Sequence, residues 1–251
     1  MTVRTRPDLC PGVLRPWPAP DGPLVRIRLV GGLLTRTQLE GLLELARDHG
    51  DGNLHLTKRA NVQIRAVTDV VALADALESL GLLPSRTHEL VRNIVVSPAG
   101  SLHPLAEEFD RLLCATPELA GLPARFLFGF DDRGDLSSLG PDLGVCTADS
   151  HARLVIGGRL GEPVVPAQVP ERLVELAQRF LEVRGEGPSA AWRVAELPTG
   201  SVATTSADYG GAPDTSAQVD VPDGLLTPAL AAELPDHDEV VVTPWHGLVL
   251  R

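Results

Sequence analysis

The chain has 251 residues, 43% hydrophobic and 22% charged, a balance typical of a globular protein of one or two domains. Its apolar runs are short and interrupted, so we expect no membrane-spanning helix, and Met1–Pro7 lacks the apolar core of a signal peptide. The net charge of −11 disfavours nucleic-acid binding, which normally needs surplus Lys and Arg. Three widely spaced cysteines argue against a disulfide framework and for a cytoplasmic protein.

The first part of the chain predicts one unit of strands and helices after an irregular, Pro-rich start. Alternating apolar residues over Leu24–Leu29 indicate a strand, and Thr35-Arg36-Thr37-Gln38 indicates a capping box that opens a helix. Short strands are expected at Asn53–Thr57 and Asn61–Ala66. Asp69 should then cap a second helix that ends before a glycine.

The middle of the chain predicts a mixture of strands and helices. The expected strands are Leu90–Val96, Arg125–Phe130, Leu143–Thr147 and Arg153–Ile156, and the expected helices are Pro104–Cys114 and Glu171–Val183. The run Asp131–Asp135 resembles part of a calcium loop but lacks the later bidentate Glu, so a turn is expected. Residues 184–215 are rich in Gly, Pro, Ser and Thr, which indicates a linker or a long loop.

An internal repeat links the two ends of the chain. Gly32-Leu33-Leu34-Thr35, a helix and a pair of strands recur as Gly224-Leu225-Leu226-Thr227, a shorter helix and a second pair. The alternative is a chance likeness between two common units, but the same short motifs recur in the same order. We therefore favour a duplication, in which the second copy lacks the closing helix of the first.

The first repeat concentrates cations and amides on one strand face. Arg26 and Arg28 share a face of their strand, and four side chains share a face of the strand that follows the helix. Those four are Arg59, Asn61, Gln63 and Arg65. Guanidinium groups match carboxylates in a bidentate manner, so a polycarboxylate or oxyanion ligand would suit this face. The alternative is an ordinary solvated face, which is the usual place for alternating polar residues.

The second repeat offers an internal comparison. Gln218 and Asp220 stand where the first repeat has Arg26 and Arg28, and the later cations are also replaced. Because a purely structural need should appear in both copies, the difference favours a site. Arg92-Asn93 and Arg125 are further cations that could converge with this face. From spacing alone, we favour a solvated strand edge or a loop over a site for each of them.

Other chemistry-bearing residues give weaker signals. No pair of histidines has a metal-binding spacing, so surface or structural histidines are expected. A cubane iron–sulfur cluster normally needs four thiolates, and the chain has only Cys10, Cys114 and Cys146, with Cys146 expected in the core. Phosphate-binding glycine loops and serine-hydrolase motifs are absent from the sequence.

Several segments together resemble the nitrite/sulfite reductase family. They are Cys10–Leu14, Asp21-Gly22 with Arg26–Gly32, Leu56–Arg65, Arg92–Ile94 with Ser97–Gly100, Leu122–Phe126 and Thr243–Trp245. The matches keep the family's order, and the later ones are most similar to its precorrin-3B synthase branch, which acts in cobalamin biosynthesis.

This resemblance implies an α+β fold of two ferredoxin-like half-domains around a central α/β domain. The implied boundaries are 1–85 for the first half-domain, 86–185 for the central domain, 186–215 for a linker and 216–251 for an incomplete second half-domain.

The resemblance also implies roles for individual residues. Arg28, Arg59 and Arg92 would contact a tetrapyrrole or an anion, with Gln63 supporting the same face. Arg125 stands at the first of two lysine positions that the reductases use for substrate, whereas Leu127 stands at the second. The missing cation weakens the case for sulfite or nitrite reduction and leaves the synthase branch less affected.

The resemblance leaves three hypotheses about function. The chain is an oxidoreductase-family protein that binds a precorrin or siroheme, a catalytically silent tetrapyrrole-binding subunit, or an interaction module without a tetrapyrrole. A nitrite/sulfite reductase-like subunit is a further alternative. The family's cluster cysteines follow the second half-domain, so a [4Fe-4S] cluster would have to come from a partner chain. A homodimer is the other partner that we consider.

Overall fold

The computed structural model describes residues 8–148 and 151–251, so the prediction for Met1–Pro7 lies outside the described residues. The chain forms two compact units. One, here called the repeat unit, consists of Leu9–Leu90 with Thr215–Arg251. The other, here called the central unit, consists of Asp8 with Val91–Asp214.

Helices and strands alternate along the chain. The α-helices are α1 (Arg36–His49), α2 (Val70–Ser79), α3 (His103–Ala115), α4 (Val169–Val183) and α5 (Pro228–Ala232). The first strands are β1 (Trp17–Ala19), β2 (Gly22–Ile27), β3 (Leu33–Thr35), β4 (Leu54–Leu56), β5 (Val62–Ile64), β6 (Ile94–Val96), β7 (Phe128–Asp131) and β8 (Leu143–Ala148). The later strands are β9 (His151–Ile156), β10 (Arg159–Val164), β11 (Ala207–Asp208), β12 (Val219–Asp220), β13 (Leu225–Leu226), β14 (Glu239–Val242) and β15 (Gly247–Leu250).

The two sheets of the repeat unit exchange a strand. One sheet has the order β1-β2-β5-β4-β13 and the other has the order β12-β15-β14-β3. Strand β3 leads into α1 but pairs with β14, whereas β13 leads into α5 but pairs with β4. Each repeat therefore contributes the strand before its helix to the sheet of the other, as expected of a duplicated unit.

The same hairpin turn occurs in both repeats. The hydroxyl of Thr57 accepts hydrogen bonds from the N–H groups two and four residues later, at 3.4 and 3.1 Å. The hydroxyl of Thr243 does the same at 3.2 and 3.1 Å. Ala60 and His246 occupy the same position of the turn, with φ of +53° and +60°. Such angles are uncommon for residues other than glycine, so the shared geometry is a strong sign of repetition.

Local capping explains where the helices of the first repeat begin. The Thr35 hydroxyl accepts from the N–H of Gln38 and the Gln38 side chain accepts from the N–H of Thr35, which is the predicted capping box. Asp69 likewise caps α2, as predicted. The apolar faces of both helices enter one core with the sheets, through Leu39, Leu42, Ala46, Leu73, Ala74 and Leu77.

The central unit contains a sheet of order β11-β10-β9-β8-β7-β6. Strands β6, β7 and β8 are parallel, and the remaining neighbours are antiparallel. Buried phenylalanines pack in a continuous chain, with ring centroids 4.6–5.8 Å apart. They are Phe109 of α3, Phe126, the β7 residues Phe128 and Phe130, and Phe180 of α4, with Phe126 linking β7 to α4.

Several boundaries differ from prediction. The expected strand Leu90–Val96 is shortened to β6, and the expected strand Arg125–Phe130 begins only at Phe128. A turn that joins the N–H of Phe126 to the carbonyl of Pro123 at 2.9 Å delays the second strand. Strand β10 was not predicted from the sequence, because its Gly and Pro residues hide the alternation of a strand.

Most of the predicted linker 186–215 belongs to the central unit, which extends to Asp214. Strand β11 pairs with β10, and the Arg193 guanidinium donates to Asp142 at 2.6 Å. Tyr209 is buried and donates a hydrogen bond to Asp131. These three contacts fix a segment whose composition is typical of a loop.

The structure shows a turn at Asp131–Asp135, as predicted. The buried carboxylate of Asp131 accepts from the N–H groups of Arg133 and Leu136, each at 3.0 Å. In the described part of the chain, no helix combines the length and apolarity needed to cross a bilayer.

Candidate anion-binding site

Arg26 and Gln63 lie directly opposite each other on β2 and β5. When the Gln63 amide oxygen is turned toward the guanidinium, it accepts from Nε and Nη2 at 3.2 and 2.9 Å. Burial lowers the pKa of Arg26. Strand parity therefore brings a cation and an amide together, in the way expected from the sequence.

Arg28 lies just beyond the end of β2, and only 3% of its surface is exposed. Its Nη1 donates to the carbonyl of Pro11 at 3.1 Å. Burial lowers the pKa of Arg28 to about 9, the negative charge of Glu89 opposes this, and the positive charges of Arg26 and Arg59 add to it. With such a pKa the guanidinium is still charged at neutral pH.

Asn61 begins the strand that follows the hairpin turn and is fully buried. Its Oδ1 accepts from the N–H of Leu29 at 2.9 Å, which fixes the orientation of the amide. Within residues 8–148 and 151–251, its Nδ2 has no hydrogen-bond partner. A buried donor without an acceptor costs about 1–3 kcal/mol, so a ligand oxygen would be stabilised here.

Arg59 is half-buried in the turn between β4 and β5. Its charge acts on Arg28, as does the charge of Arg26, so three guanidinium groups lie near one another in the repeat unit. Their mutual repulsion is unfavourable and would be relieved by a bound anion. We call Arg26, Arg28, Arg59, Asn61 and Gln63 the arginine cluster.

Arg65 has the strand parity expected of the same face as the cluster, but its guanidinium is paired with a carboxylate outside the cluster. Its Nε and Nη2 donate to the two carboxylate oxygens of Asp21 at 2.7 and 2.8 Å. This bidentate ion pair occupies the guanidinium face that a ligand would need. We therefore leave Arg65 out of the candidate site, contrary to the expectation from parity.

Arg92 is buried in the central unit and forms an internal ion pair. Its Nε and Nη2 donate to the Asp110 carboxylate at 2.7 and 2.8 Å. Asn93 is also buried, and its amide donates to the carbonyl of Ala124 at 2.8 Å. Both side chains hold the central unit together, so the ligand role expected for them is not carried forward.

Arg125 is exposed in the turn before β7, where the sequence predicted a strand. Its Nε lies 3.5 Å from the carboxylate of Asp8, and its guanidinium lies 5.1 Å from the ring centroid of Trp192. These two contacts account for its position without a ligand. The side chain remains reachable from solvent.

Glu89, which was not predicted from the sequence as a site residue, supports the cluster. Its carboxylate accepts from the N–H groups of Val13 and Leu14 at 2.8 and 3.3 Å, and so anchors the segment whose Pro11 carbonyl contacts Arg28. One feature of the sequence indicates Glu89, because it is the sole acidic residue between Glu78 and Glu107.

The described residues do not provide the four thiolates that normally hold a cubane iron–sulfur cluster. Cys10 belongs to the repeat unit, whereas Cys114 and Cys146 belong to the central unit, and all three are free thiols. Burial raises the pKa of Cys114 and of Cys146 to about 11, which disfavours the thiolate that a metal requires. In the parts of the chain with described coordinates, no three His, Cys, Asp or Glu side chains are grouped for metal binding.

This chain is similar to known proteins in part of its sequence and in its fold. Residues 18–80 match the sequence profile of the nitrite/sulfite reductase ferredoxin-like half domain. The fold is similar to that of the NirA protein of Mycobacterium tuberculosis, with a TM-score of 0.68 and 19% identity over 91% of this chain and 53% of that one. This chain therefore spans about half the length of NirA. No curated protein matches it in sequence.

These comparisons confirm two expectations from the sequence. The resemblance to the nitrite/sulfite reductase family is confirmed at the ferredoxin-like half domain, and the mixed α+β fold is confirmed as well. The closer likeness to the precorrin-3B synthase branch remains a prediction.

Proposed function

We propose that this chain, which carries a nitrite/sulfite reductase ferredoxin-like half domain, binds a polycarboxylate tetrapyrrole of the siroheme or precorrin type on the arginine cluster. One observation carries the proposal. The charges of Arg26 and Arg59 both act on the buried Arg28, and the amide nitrogen of the buried Asn61 has no hydrogen-bond partner among the described residues.

The chemistry of the cluster suits carboxylates better than other ligands. Each guanidinium presents a planar fork of N–H groups that matches a carboxylate, and several forks together match a ligand with several acidic side chains. The Asn61 amide would donate to a further oxygen. A neutral ligand would lack the negative charge that these three cations attract.

The residues present fit the acidic periphery of a tetrapyrrole, and their own contribution is binding and orientation. Arg28 would hold a carboxylate at a buried, fixed position, and Arg59 would reach it from the turn. An iron carried by the tetrapyrrole would supply redox chemistry when bound. The three cysteines do not fit a four-thiolate cluster, so we derive no step through one.

Within the family, we favour a precorrin-3B synthase-like role in cobalamin biosynthesis over sulfite or nitrite reduction. Leu127, which stands at the second cation position of the reductases, is 1% exposed and lies in the core. Arg125, at the first position, is held by Asp8 and Trp192. Neither residue offers the pair of substrate cations that reduction of an oxyanion would use.

A second candidate is a catalytically silent subunit that binds the tetrapyrrole while a partner chain provides the cluster. The distribution of the thiols favours it, since Cys10 and the other two cysteines belong to different compact units. Iron and sulfide analysis of the purified protein, with a visible spectrum, separates this candidate from an oxidoreductase that holds its own cluster.

Titration with a tetrapyrrole tests the proposal. The purified chain would be titrated with siroheme and with the octacarboxylate uroporphyrin III, with the Soret absorbance as the readout. We expect saturable binding that Arg28→Ala combined with Arg59→Ala weakens by at least about 100-fold, equivalent to about 2.7 kcal/mol.

Arg65→Ala is the matched control. It removes a guanidinium from the same strand face, but one that is already paired with Asp21. Its affinity should match the parent, and circular dichroism should show that all variants fold. Equal affinity of the double variant and the Arg65 control would contradict the proposal, as would an absence of binding by the parent.

A further inference from the structure

Cys10 lies next to the arginine cluster in the repeat unit. The backbone that follows it runs beside β2, because the carbonyl of Gly12 accepts from the N–H of Arg26 at 3.3 Å. The carbonyl of Pro11 accepts from the Arg28 guanidinium at 3.1 Å. These two hydrogen bonds hold Cys10 one residue away from a direct contact with the cluster.

The Cys10 thiolate and two guanidinium groups interact through their charges. Burial lowers the pKa of Arg26, and the negative charge of the Cys10 thiolate opposes that shift. The thiolate also opposes the lowering of the Arg28 pKa by burial, to a smaller extent than Glu89 does. Because the attraction between two charges acts on both of them, Arg26 and Arg28 favour the thiolate of Cys10 over the thiol. The thiolate is the form that attacks electrophiles.

The other two cysteines lie where the thiolate is disfavoured. Burial, and then the negative charge of Asp110, raises the pKa of Cys114 to about 11. Burial, and then the negative charge of Asp131, raises the pKa of Cys146 to about 11 as well. Cys10 is half-buried, so reagents can reach it from solvent. At neutral pH we therefore expect Cys10 to be the most reactive of the three thiols.

The neighbouring cluster is suited to an anionic ligand for a reason that is independent of the thiol. Asn61 is fully buried, and among the described residues its Nδ2 has no hydrogen-bond partner. Its Oδ1 accepts from the N–H of Leu29, so this amide packs against the backbone next to Arg28. An electrophile that carries a carboxylate would be attracted to the cluster and thereby concentrated near Cys10.

We propose that Cys10 is a modification site for electrophiles that carry a carboxylate, which the arginine cluster attracts to the thiol. In the reaction the thiolate sulfur forms a bond to the electrophilic carbon, and the leaving group departs with the electron pair of the bond that breaks. The product carries its carboxylate beside Arg26 and Arg28, where it competes with the carboxylate of a ligand. This competition rests on the proposed function, whereas the reactivity of Cys10 does not.

Alkylation with a matched pair of reagents tests the reactivity. Iodoacetate carries a carboxylate, iodoacetamide is its neutral counterpart, and each releases iodide as the carbon–sulfur bond forms. Mass spectrometry of the full chain after timed reactions gives the rate at each cysteine. We expect the ratio of the iodoacetate rate to the iodoacetamide rate at Cys10 to exceed that of N-acetylcysteine by at least about tenfold, because cationic sites concentrate anions. Arg28→Ala, or Arg26→Gln if that variant does not fold, should abolish the preference.

The chain offers controls for this experiment. Cys114 and Cys146 should react slowly with both reagents. Arg65→Ala removes a guanidinium that is already paired with Asp21, so it should leave the preference of Cys10 for iodoacetate unchanged. A rate ratio at Cys10 equal to that of N-acetylcysteine would overturn the proposal, as would equal ratios in the cluster variant and the Arg65 variant.

Soret titration of the two alkylated proteins tests the link to ligand binding. The carboxymethyl and carbamidomethyl adducts of Cys10 have nearly the same size, but only the first is charged. We expect the charged adduct to bind uroporphyrin III at least about tenfold more weakly than the neutral one, and equal affinities would overturn the link. If the parent binds no tetrapyrrole, the proposed function fails, whereas a preference for iodoacetate at Cys10 still supports the modification site.

Discussion

The Oδ1 atom of Asn61 accepts a hydrogen bond from the backbone N–H of Leu29 at 2.9 Å, and this bond fixes which side of the amide carries the Nδ2 donor. Asn61→Asp keeps the acceptor but replaces the donor with a negative charge near Arg28 and Arg59. The new carboxylate would pair with those cations in place of a ligand. We expect tetrapyrrole affinity to fall by at least about tenfold, measured by the Soret titration.

The same variant should retain its fold. Relief of the repulsion among Arg26, Arg28 and Arg59 should leave its thermal midpoint equal to that of the parent or higher. Loss of affinity with a large fall in the midpoint would instead indicate a structural role for Asn61. Unchanged affinity would remove Asn61 from the site.

The ion pair of Arg92 and Asp110 should matter for stability, because it is buried and bidentate. Asp110→Asn leaves the guanidinium without its counter-charge, and breaking one side of a buried pair costs about 3–5 kcal/mol. Urea denaturation followed by circular dichroism measures this loss. Removing both charges, as Arg92→Met with Asp110→Leu, should recover much of the stability, and no recovery would argue that Arg92 has another role.

Much of the repeat unit could be predicted because its determinants are local. The capping box at Thr35, the cap at Asp69 and the alternation around Val25 each act within a few residues of the chain. The repeat could be found because Thr57 and Thr243 form the same turn. Strand parity also predicted that Arg26 and Gln63 would share a sheet face if their strands lay in one sheet, and the two residues are register partners.

Long-range pairings could not be predicted. Nothing near Arg92 or Arg65 in the sequence indicates that Asp110 and Asp21 would occupy their guanidinium groups, because these partners lie 18 and 44 residues away. The pairing of β3 with β14 and of β13 with β4 likewise depends on residues that are distant in the sequence. A sequence does not show which cations have a distant carboxylate partner, and so the predicted site was larger than the arginine cluster.

The Ser97 hydroxyl lies 2.9 Å from Asp131 and 2.7 Å from Asp135, yet it has one hydrogen to donate. The hydroxyl therefore cannot donate fully to both carboxylates at once. Burial, and then the charge of Asp131, raises the pKa of Asp135 above its ordinary 3.8. The stability that protonated Asp135 contributes is therefore complete below pH 3.8, and it is lost as the pH rises through the pKa of Asp135 in the folded protein.

Asp135→Asn tests this titration, because the amide imitates the protonated acid. The variant should gain stability relative to the parent as the pH is raised from mildly acidic to neutral, measured by urea denaturation at each pH. A difference between the two proteins that does not vary with pH would mean that Asp135 does not titrate in this range.

Tyr209 should hold the segment 186–215 against the central unit. Its hydroxyl donates to Asp131, and hydrogen bonds to charged groups contribute about 1.5–3 kcal/mol. Tyr209→Phe should therefore speed proteolytic cleavage within residues 199–206, with exposed Arg179→Ala as a control that leaves the rate unchanged. Equal cleavage of the Tyr209 variant and the parent would contradict the role.

An alkaline titration checks the same contact without mutation, because Tyr209 is the chain's only tyrosine. Burial, and then the hydrogen bond to Asp131, raises the pKa of Tyr209 well above its ordinary value. The near-ultraviolet absorbance of the phenolate should therefore appear only when the protein unfolds, whereas in urea it should appear near a pKa of about 10. Ionisation near that value in the folded protein would show that the hydroxyl is exposed, and the segment would then need another anchor.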